Sequence, residues 1–235
     1  MSKVILGDCL EVMKDIPNKS IDMILCDLPY GTTACKWDTI IPFEPLWEQY
    51  KRIIKPNGAI VLTASQPFTS ALVMSNPDLF KYQWVWDKKL PTGHLNANKM
   101  PMKRHEDILV FCGGKTPYFP TMRTGKMRAR GGGNASPVYG KCVPKKSYSD
   151  QYYPTSIIEI HNADQSKKIH PTQKPVALFE YLIKTYTDEG DLVLDNCAGS
   201  GTTGVACKNL NRNYILIEKE QEYIDIINKR LNDNG

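Results

Sequence analysis

The sequence predicts an α/β fold in which a mostly parallel sheet is covered by helices on both faces. Two observations support it: short apolar runs alternate with segments of helical period, and a glycine-rich turn directly follows one such run. A third feature, the loss of any periodicity between residues 113 and 168, indicates an insertion of loops and short strands. With 235 residues, 41% of them hydrophobic and 23% charged, the chain can form an ordinary packed core.

The elements before the insertion are predicted from apolar patterning. Apolar residues at helical spacing predict a helix over 43–54, which Pro56, Asn57 and Gly58 end. Asp8 suits the N-cap of a helix over 9–16. We further expect a helix over 67–74, strands over 21–26, 59–63, 82–86 and 108–112, and a loop over 88–106.

Regular structure resumes after the insertion. Helical spacing predicts helices over 175–186, 203–210 and 221–231, and short apolar runs predict strands over 192–195 and 214–218.

Several classes of protein are disfavoured. No apolar run approaches the roughly 18 residues that a membrane span needs, and no secretory signal is visible. The seven Cys form no CxxC pair and the four His show no ligand spacing, so we expect no metal site and no disulfide framework. A reducing cytoplasm fits this composition.

Charge is distributed unevenly along the chain. Residues 81–150 hold 14 Lys and Arg against 4 Asp and Glu, a net +10, whereas the remainder has a net −5. Such asymmetry indicates a polyanionic partner, most simply nucleic acid.

The glycine turn predicts a nucleotide-type ligand. Gly199, Gly201 and Gly204 form a GxGxxG pattern after the predicted strand, and Glu218 follows 19 residues after Gly199. Asp195, four residues before Gly199, would repel the pyrophosphate of NAD. S-adenosylmethionine carries an ammonium and a sulfonium instead, so the loop favours that cofactor.

Three motifs carry a resemblance to a known family. Asp27-Leu28-Pro29-Tyr30 and the loop from Asp195 to Thr202 resemble the (D/N/S)PPY tetrapeptide and DxFxGxGT-like loop of DNA amino-methyltransferases, which make N6-methyladenine or N4-methylcytosine. The segment His170-Pro-Thr-Gln-Lys-Pro175 is similar to the HxTxKP segment of that family, and the motif order is the circularly permuted one of the beta class.

The resemblance covers nearly the whole chain outside 113–168 and implies its organisation. The expected fold is the Rossmann-like S-adenosylmethionine-dependent methyltransferase fold, with seven strands of which one is antiparallel. Residues 1–112 and 169–235 would form the catalytic domain, and 113–168 a target-recognition insertion. The tetrapeptide and the glycine loop should lie side by side at the carboxyl ends of adjacent strands.

The resemblance also implies a catalytic role for each tetrapeptide residue. The Asp27 carboxylate and the Leu28 carbonyl would accept hydrogen bonds from the amine of the target base, freeing the nitrogen lone pair. Pro29 keeps Leu28 extended, and Tyr30 would stack on a base swung out of the duplex. Leu28 departs from the family, which usually has Pro there.

Cofactor contacts follow from the same resemblance. Asp8 would meet the adenine amine of the cofactor, Glu218 its ribose, and Lys174 its carboxylate. The complete predicted set is Asp8, Thr172, Lys174, Asp195, Cys197, Gly199, Ser200, Gly201, Thr202, Thr203 and Glu218.

The insertion supplies the predicted DNA contacts. Its cations are interleaved with aromatic residues and can neutralise phosphates or contact guanine edges. They are Lys115, Arg123, Lys126, Arg128, Arg130, Lys141, Lys145 and Lys146.

The sequence therefore predicts a methyltransferase acting on the N6 amine of adenine in double-stranded DNA, without a metal. The preference for adenine rests on Asp27, since N4-cytosine enzymes more often begin the tetrapeptide with Ser. An N4-cytosine enzyme, an NAD-dependent oxidoreductase and an inactive DNA-binding module are the alternatives. The resemblance further implies a prokaryotic cell or a phage-infected host, and it allows a cognate restriction endonuclease and a homodimer as partners.

Overall fold

A computed structural model describes residues 2–32, 38–130, 147–162 and 173–233 of the chain. Ten strands, six α-helices and one short 3-10 helix, His94–Asn96, occur in these residues. The strands are β1 (Lys3–Leu6), β2 (Ile21–Cys26), β3 (Ile54–Ala64), β4 (Phe80–Thr92), β5 (Lys103–Phe111), β6 (Arg123–Arg130), β7 (Ser147–Tyr152), β8 (Ile157–Glu159), β9 (Leu192–Asp195) and β10 (Asn213–Glu218). The helices are α1 (Cys9–Lys14), α2 (Phe43–Ile53), α3 (Phe68–Ser75), α4 (Val176–Tyr186), α5 (Thr202–Asn209) and α6 (Gln221–Asp233).

The main sheet has the order β1-β10-β9-β2-β3-β5-β4-β8. Every neighbouring pair is parallel except the two pairs made by β5, which runs against both β3 and β4. The mostly parallel sheet with one reversed strand is thus confirmed. It has eight strands rather than seven, because the three-residue β8 pairs with the outer edge of β4.

Each face of the sheet carries its own core, because side chains alternate along every strand. Ile24 and Cys26 of β2 pack with the buried faces of α1, α2 and α3. Met23 and Leu25 point the other way and pack with α4 and α5. A smaller cluster joins α5 and α6 to Leu216. Helices therefore cover both faces, as the alternation of short apolar runs with helical segments predicted.

The main error of the sequence prediction lies between residues 88 and 106, which were expected to form a loop. In the structure β4 continues to Thr92 and β5 already begins at Lys103, so the two strands form a long hairpin. Charged and polar residues dominate these extensions, so no apolar alternation marked them. Strand β1 was missed as well, since four residues are too short for a periodicity argument.

Residues 120–155 form a compact unit separate from the one that contains the main sheet. Its described part is an antiparallel pair of strands, β6 and β7. This unit spans fewer residues than the insertion predicted over 113–168. On its N-terminal side, the backbone N–H of Phe119 bonds the carbonyl of Thr185 in the main unit. On its C-terminal side, β8 is already a strand of the main sheet. No helix in the described residues is long and apolar enough to span a membrane.

Candidate active site

A cavity of about 520 Å³ lies at the carboxyl edge of the main sheet. The residues that follow β1, β2, β9 and β10 all line it. Because β2 and β9 are directly paired in parallel, the tetrapeptide and the glycine loop end neighbouring strands. This is the edge at which open α/β sheets bind ligands.

The glycine loop needs left-handed backbone at two positions. Gly199 has φ +51° and Gly201, the residue before α5, has φ +77°. The turn is held by Glu218, whose carboxylate accepts the backbone N–H of Gly199 at 2.8 Å. Its other oxygen accepts the N–H groups of Lys219 and Glu220. A carboxylate offers about four acceptor positions, so Glu218 keeps one for a hydroxyl donor in the cavity.

Asp195 is the last residue of β9 and is buried, with 3% of its surface exposed. It accepts a short hydrogen bond from the Thr203 hydroxyl and one of 3.1 Å from the backbone N–H of Cys197. Burial raises the pKa of the Asp195 carboxyl to about 6, in spite of these bonds. Above that pH the group is a buried anion on the cavity wall.

Asp27 accepts hydrogen bonds from three side chains, two of which are distant from it in sequence. Its Oδ1 accepts the Tyr30 hydroxyl at 2.7 Å and a short bond from the Thr63 hydroxyl. Its Oδ2 accepts Lys174 Nζ at 2.8 Å. The carboxylate is therefore fixed in the cavity as an acceptor, with Thr63 supplied by the carboxyl end of β3.

Lys174 lies between two carboxylates. Its Nζ is 3.2 Å from Oε2 of Glu106, and Oε1 of Glu106 bonds Lys88 Nζ at 3.0 Å. Burial lowers the pKa of the Lys174 ammonium, but Asp27 and Glu106 outweigh it, so the net pKa is raised. Burial raises the pKa of the Glu106 carboxyl, but the ammonium groups of Lys174 and Lys88 lower it by more. The net pKa of Glu106 is therefore lowered. The four side chains form an alternating row of charges.

Tyr30 and Leu28 are positioned by packing. The Tyr30 ring stacks on Phe68 with centroids 5.2 Å apart, and Lys174 Nζ lies 5.6 Å from its ring centroid. The Leu28 side chain is 3% exposed and belongs to the core under α1, α2 and α3. A leucine is therefore accommodated where the family usually has proline.

Asp8 and Cys197 complete the cavity wall near the glycine loop. Asp8 caps α1 by accepting the backbone N–H of Leu10 at 2.9 Å, and it also lines the cavity. Cys197 lines the cavity, and its thiol hydrogen-bonds with those of Cys9 and Cys26. The bond to Cys26, together with burial, holds the pKa of the Cys197 thiol well above its usual value, so it is neutral.

A comparison with protein families decides the assignment. The N6/N4 methyltransferase family, described as DNA methylase, matches residues 21–229. The chain belongs to this family of DNA methylases. Family membership confirms the resemblance found in the sequence.

Relatives and solved structures agree with this assignment. The methylase is 31% identical over 247 residues to the Type II methyltransferase M.HpaI of Haemophilus parainfluenzae, covering 97% of this chain and 74% of that protein. It is 30% identical to M.HinfI of Haemophilus influenzae, covering 99% and 69%.

The structural neighbours extend over nearly the whole methylase. The crystal structure of an M1.HpyAVI–SAM complex has a TM-score of 0.68 at 28% identity, covering 98% of this chain and 100% of that one. PvuII DNA methyltransferase, which is cytosine-N4-specific, has a TM-score of 0.69 at 17% identity over 99% and 90%, and shows the shared fold alone.

The structure brings most of the predicted cofactor residues of the methylase to the cavity. Eight line it: Asp8, Lys174, Asp195, Cys197, Gly199, Ser200, Thr202 and Glu218. Gly201 and Thr203 are not among the lining residues. Gly201 is the residue at which the chain turns into α5, and the buried hydroxyl of Thr203 donates a hydrogen bond to the Asp195 carboxylate. Thr172 lies outside the described residues.

The predicted DNA contacts are divided between the two compact units, and some of them lie outside the described residues. Arg123, Lys126 and Arg128 are exposed on β6, and Arg128 lies 5.9 Å from the ring centroid of Tyr152. Lys115 follows the carboxyl end of the reversed strand β5, so it lies at the edge of the main sheet opposite Asp27. Arg130 ends β6, and Lys141, Lys145 and Lys146 fall outside the described residues.

Glu106 and Thr63 are two residues in contact with the predicted site residues that the sequence prediction missed. Thr63 lies within a predicted strand, and Glu106 precedes one. The usable signal was a pair of carboxylates, Glu106 and Asp107, directly before the apolar run from Ile108 to Phe111, at an edge that only the sheet order places beside Asp27. In the described part of the chain, no group of three His, Cys, Asp or Glu is arranged to hold a metal ion.

Proposed function

We propose that this DNA methylase transfers a methyl group from S-adenosylmethionine to the exocyclic N6 of adenine in double-stranded DNA, with the target base swung out of the helix. The observation that carries the proposal is that Asp27 of the tetrapeptide and the glycine loop line one cavity. A cofactor and an amine bound there would meet across neighbouring strand ends.

The cavity has the donor set that S-adenosylmethionine requires. Asp195 provides an anion for its ammonium group, and Glu218 retains an acceptor for a ribose hydroxyl. Asp8 offers a carboxylate toward the adenine amine of the cofactor. A solved relative at 28% identity is a SAM complex, which supports the same ligand here. When bound, the cofactor supplies the methyl group.

The residues of the chain would act on the amine of the base. This amine is a weak nucleophile, because its lone pair is conjugated with the ring. Asp27 and the carbonyl of Leu28 would each accept one N–H of the amine and thereby favour a tetrahedral nitrogen. Thr63, Tyr30 and Lys174 hold Asp27 ready to do so, so little reorganisation is needed when the base arrives.

The choice of adenine rests on the first residue of the tetrapeptide. Asp27 is a carboxylate, whereas Ser is more usual in N4-cytosine enzymes. The carboxylate is bonded by three donors and remains on the cavity wall. N4-cytosine is the competing substrate, since it presents the same kind of amine.

DNA recognition is assigned to the insertion over 113–168. The exposed cations Arg123, Lys126 and Arg128 on β6 support this role, because cations on one strand can neutralise successive phosphates. Residues 1–112 and 169–235 would then form the catalytic domain. A cognate restriction endonuclease is proposed because the relatives are Type II methyltransferases. A homodimer stays a prediction.

The decisive experiment is single-molecule sequencing of DNA from a methylation-free host that expresses this chain, together with nucleoside analysis. We expect N6-methyladenine in one sequence context. Asp27→Ala should abolish it while calorimetry still detects S-adenosylmethionine binding.

N4-methylcytosine in place of N6-methyladenine would contradict the choice of base but not the reaction. Binding of NAD without S-adenosylmethionine would contradict the cofactor. Turnover that survives in Asp27→Ala would contradict the role of the tetrapeptide.

A further inference from the structure

The hairpin formed by the extended ends of β4 and β5, residues 88–103, is an ordered projection from the main sheet. Arg104 bonds both oxygens of the Asp87 carboxylate, at 2.7 and 2.8 Å, and so braces its base. Lys89 adds a backbone N–H to the same carboxylate. Four further backbone hydrogen bonds close the turn between Gly93 and Met100. The tip is therefore held in a defined conformation.

This ordered tip presents apolar side chains to solvent. Leu95 is 84% exposed, the highest value of any large apolar side chain in the described residues. Met100 is 59% exposed and Leu90 68%. Exposing such residues on a braced turn is unfavourable unless a partner covers them.

The hairpin rises from the same edge of the sheet as the cavity. Trp86 and Glu106 are paired across β4 and β5, and both line the cavity. Lys88, the next cation along β4, bonds Glu106, which contacts Lys174. A continuous set of contacts therefore joins the base of the hairpin to the cavity.

The charge of the hairpin selects the class of partner. Residues 88–103 contain four Lys and no Asp or Glu, and two of these lysines, Lys88 and Lys89, are paired with Glu106 and Glu159. Apolar side chains beside the two remaining lysines, Lys99 and Lys103, suit a polyanion with an apolar interior, which describes duplex DNA with its stacked bases. A second copy of this basic hairpin would be repelled.

We propose that this hairpin is a DNA-opening wedge in which Leu95 enters the base stack beside the target base, while Lys99 at its tip binds an adjacent phosphate. The inference rests on the proposed function, since a base must leave the duplex to reach Asp27. An inserted apolar side chain fills the space that the base vacates and so offsets part of the unstacking free energy.

The test compares two duplexes that carry the recognition sequence found by sequencing. One is fully paired, and in the other the target base faces an abasic site, so that its pairing is already lost. We expect Leu95→Ser to lower kcat/KM about tenfold or more on the paired duplex. On the abasic duplex the same variant should come within about threefold of the wild-type value, and Leu95→Met should act like the wild type on both.

Met74→Ser is the matched control, because Met74 is 71% exposed on α3, away from the hairpin. Equal losses on both duplexes, or no loss on either, would overturn the wedge and leave the proposed function standing. A DNA-free dimer that Leu95→Ser dissociates in sedimentation would also overturn it, by assigning the tip to self-association. A wild-type protein that methylates neither duplex would overturn the proposed function, and the wedge with it.

Discussion

Lys174 Nζ lies 2.8 Å from Oδ2 of Asp27, across 147 positions of sequence. The sequence prediction placed Lys174 near the carboxylate of the cofactor. In the structure this lysine lines the cavity and bonds the first residue of the tetrapeptide, and its Nζ also lies 3.2 Å from Oε2 of Glu106. The two placements assign Lys174 to different steps, since one supports cofactor binding and the other supports the geometry of the acceptor for the amine.

Replacing Lys174 by Met separates these roles. If Lys174 positions Asp27, kcat should fall by about tenfold or more while the Kd for S-adenosylmethionine changes by less than about threefold. Single-turnover kinetics and calorimetry measure the two quantities. Lys184→Met is a suitable control, because Lys184 is exposed on the same stretch of chain, in α4. A weakened Kd with unchanged kcat would favour the cofactor role.

Removing the charge of Glu106 should change the pH dependence of the reaction. Burial lowers the pKa of the Lys174 ammonium, but the carboxylates of Asp27 and Glu106 raise it by more. Glu106→Gln removes one of these charges and should therefore lower the pKa of Lys174. The alkaline limit of kcat is then expected to move to lower pH, because Lys174 loses its proton earlier.

A kcat profile across the alkaline range checks this expectation, and Glu48→Gln on the exposed side of α2 serves as control. Coincident profiles for the wild type and Glu106→Gln would mean that the Lys174 ammonium does not control the rate.

Cofactor affinity should weaken in acid through Asp195. Its pKa of about 6 means that the carboxyl is neutral below that pH and cannot pair with the ammonium of the cofactor. We expect the Kd for S-adenosylmethionine to be constant above pH 6 and to rise about tenfold per pH unit below it. Titration calorimetry from pH 5 to pH 8 would measure this. Asp195→Asn should bind weakly with little pH dependence in this range, whereas exposed Asp78→Asn should behave as the wild type.

Substitution of Gly201 tests the backbone conformation of the glycine loop. Its φ of +77° disfavours any L side chain, and a Cβ there would lie 2.9 Å from Ile227 Cγ1. Gly201→Ala should therefore cost more than the roughly 1–2 kcal/mol of a left-handed residue alone. Gly190→Ala isolates that backbone cost, since Gly190 has φ +85° with no atom within 4 Å of the added Cβ.

Urea unfolding of the two variants gives the comparison. A free energy of unfolding that drops no further for Gly201→Ala than for Gly190→Ala would mean that α6, which carries Ile227, moves aside at little cost.

Local chemistry made much of this protein predictable. The glycine turn, the capping Asp8 and the apolar runs each involve residues within a few positions of one another, and the structure has them where the pattern indicated. The sequence prediction missed the hairpin over 88–103, because its strands are polar and their pairing depends on contacts between β4 and β5. Patterning along a single strand carries no information about such partners.

The sequence by itself determined the α/β class, the order of the motifs and the residue types that a methyl transfer to an amine requires. Tertiary structure decided how those residues work together. Pairing of β2 with β9 brought Asp27 beside the glycine loop, and the reversed strand β5 brought Glu106 to Lys174. The physical reason is that burial and charge pairing are set by neighbours distant in sequence. The position of the Asp27 carboxylate therefore depends on hydrogen bonds from Thr63 and Lys174, which no local sequence pattern connects to it.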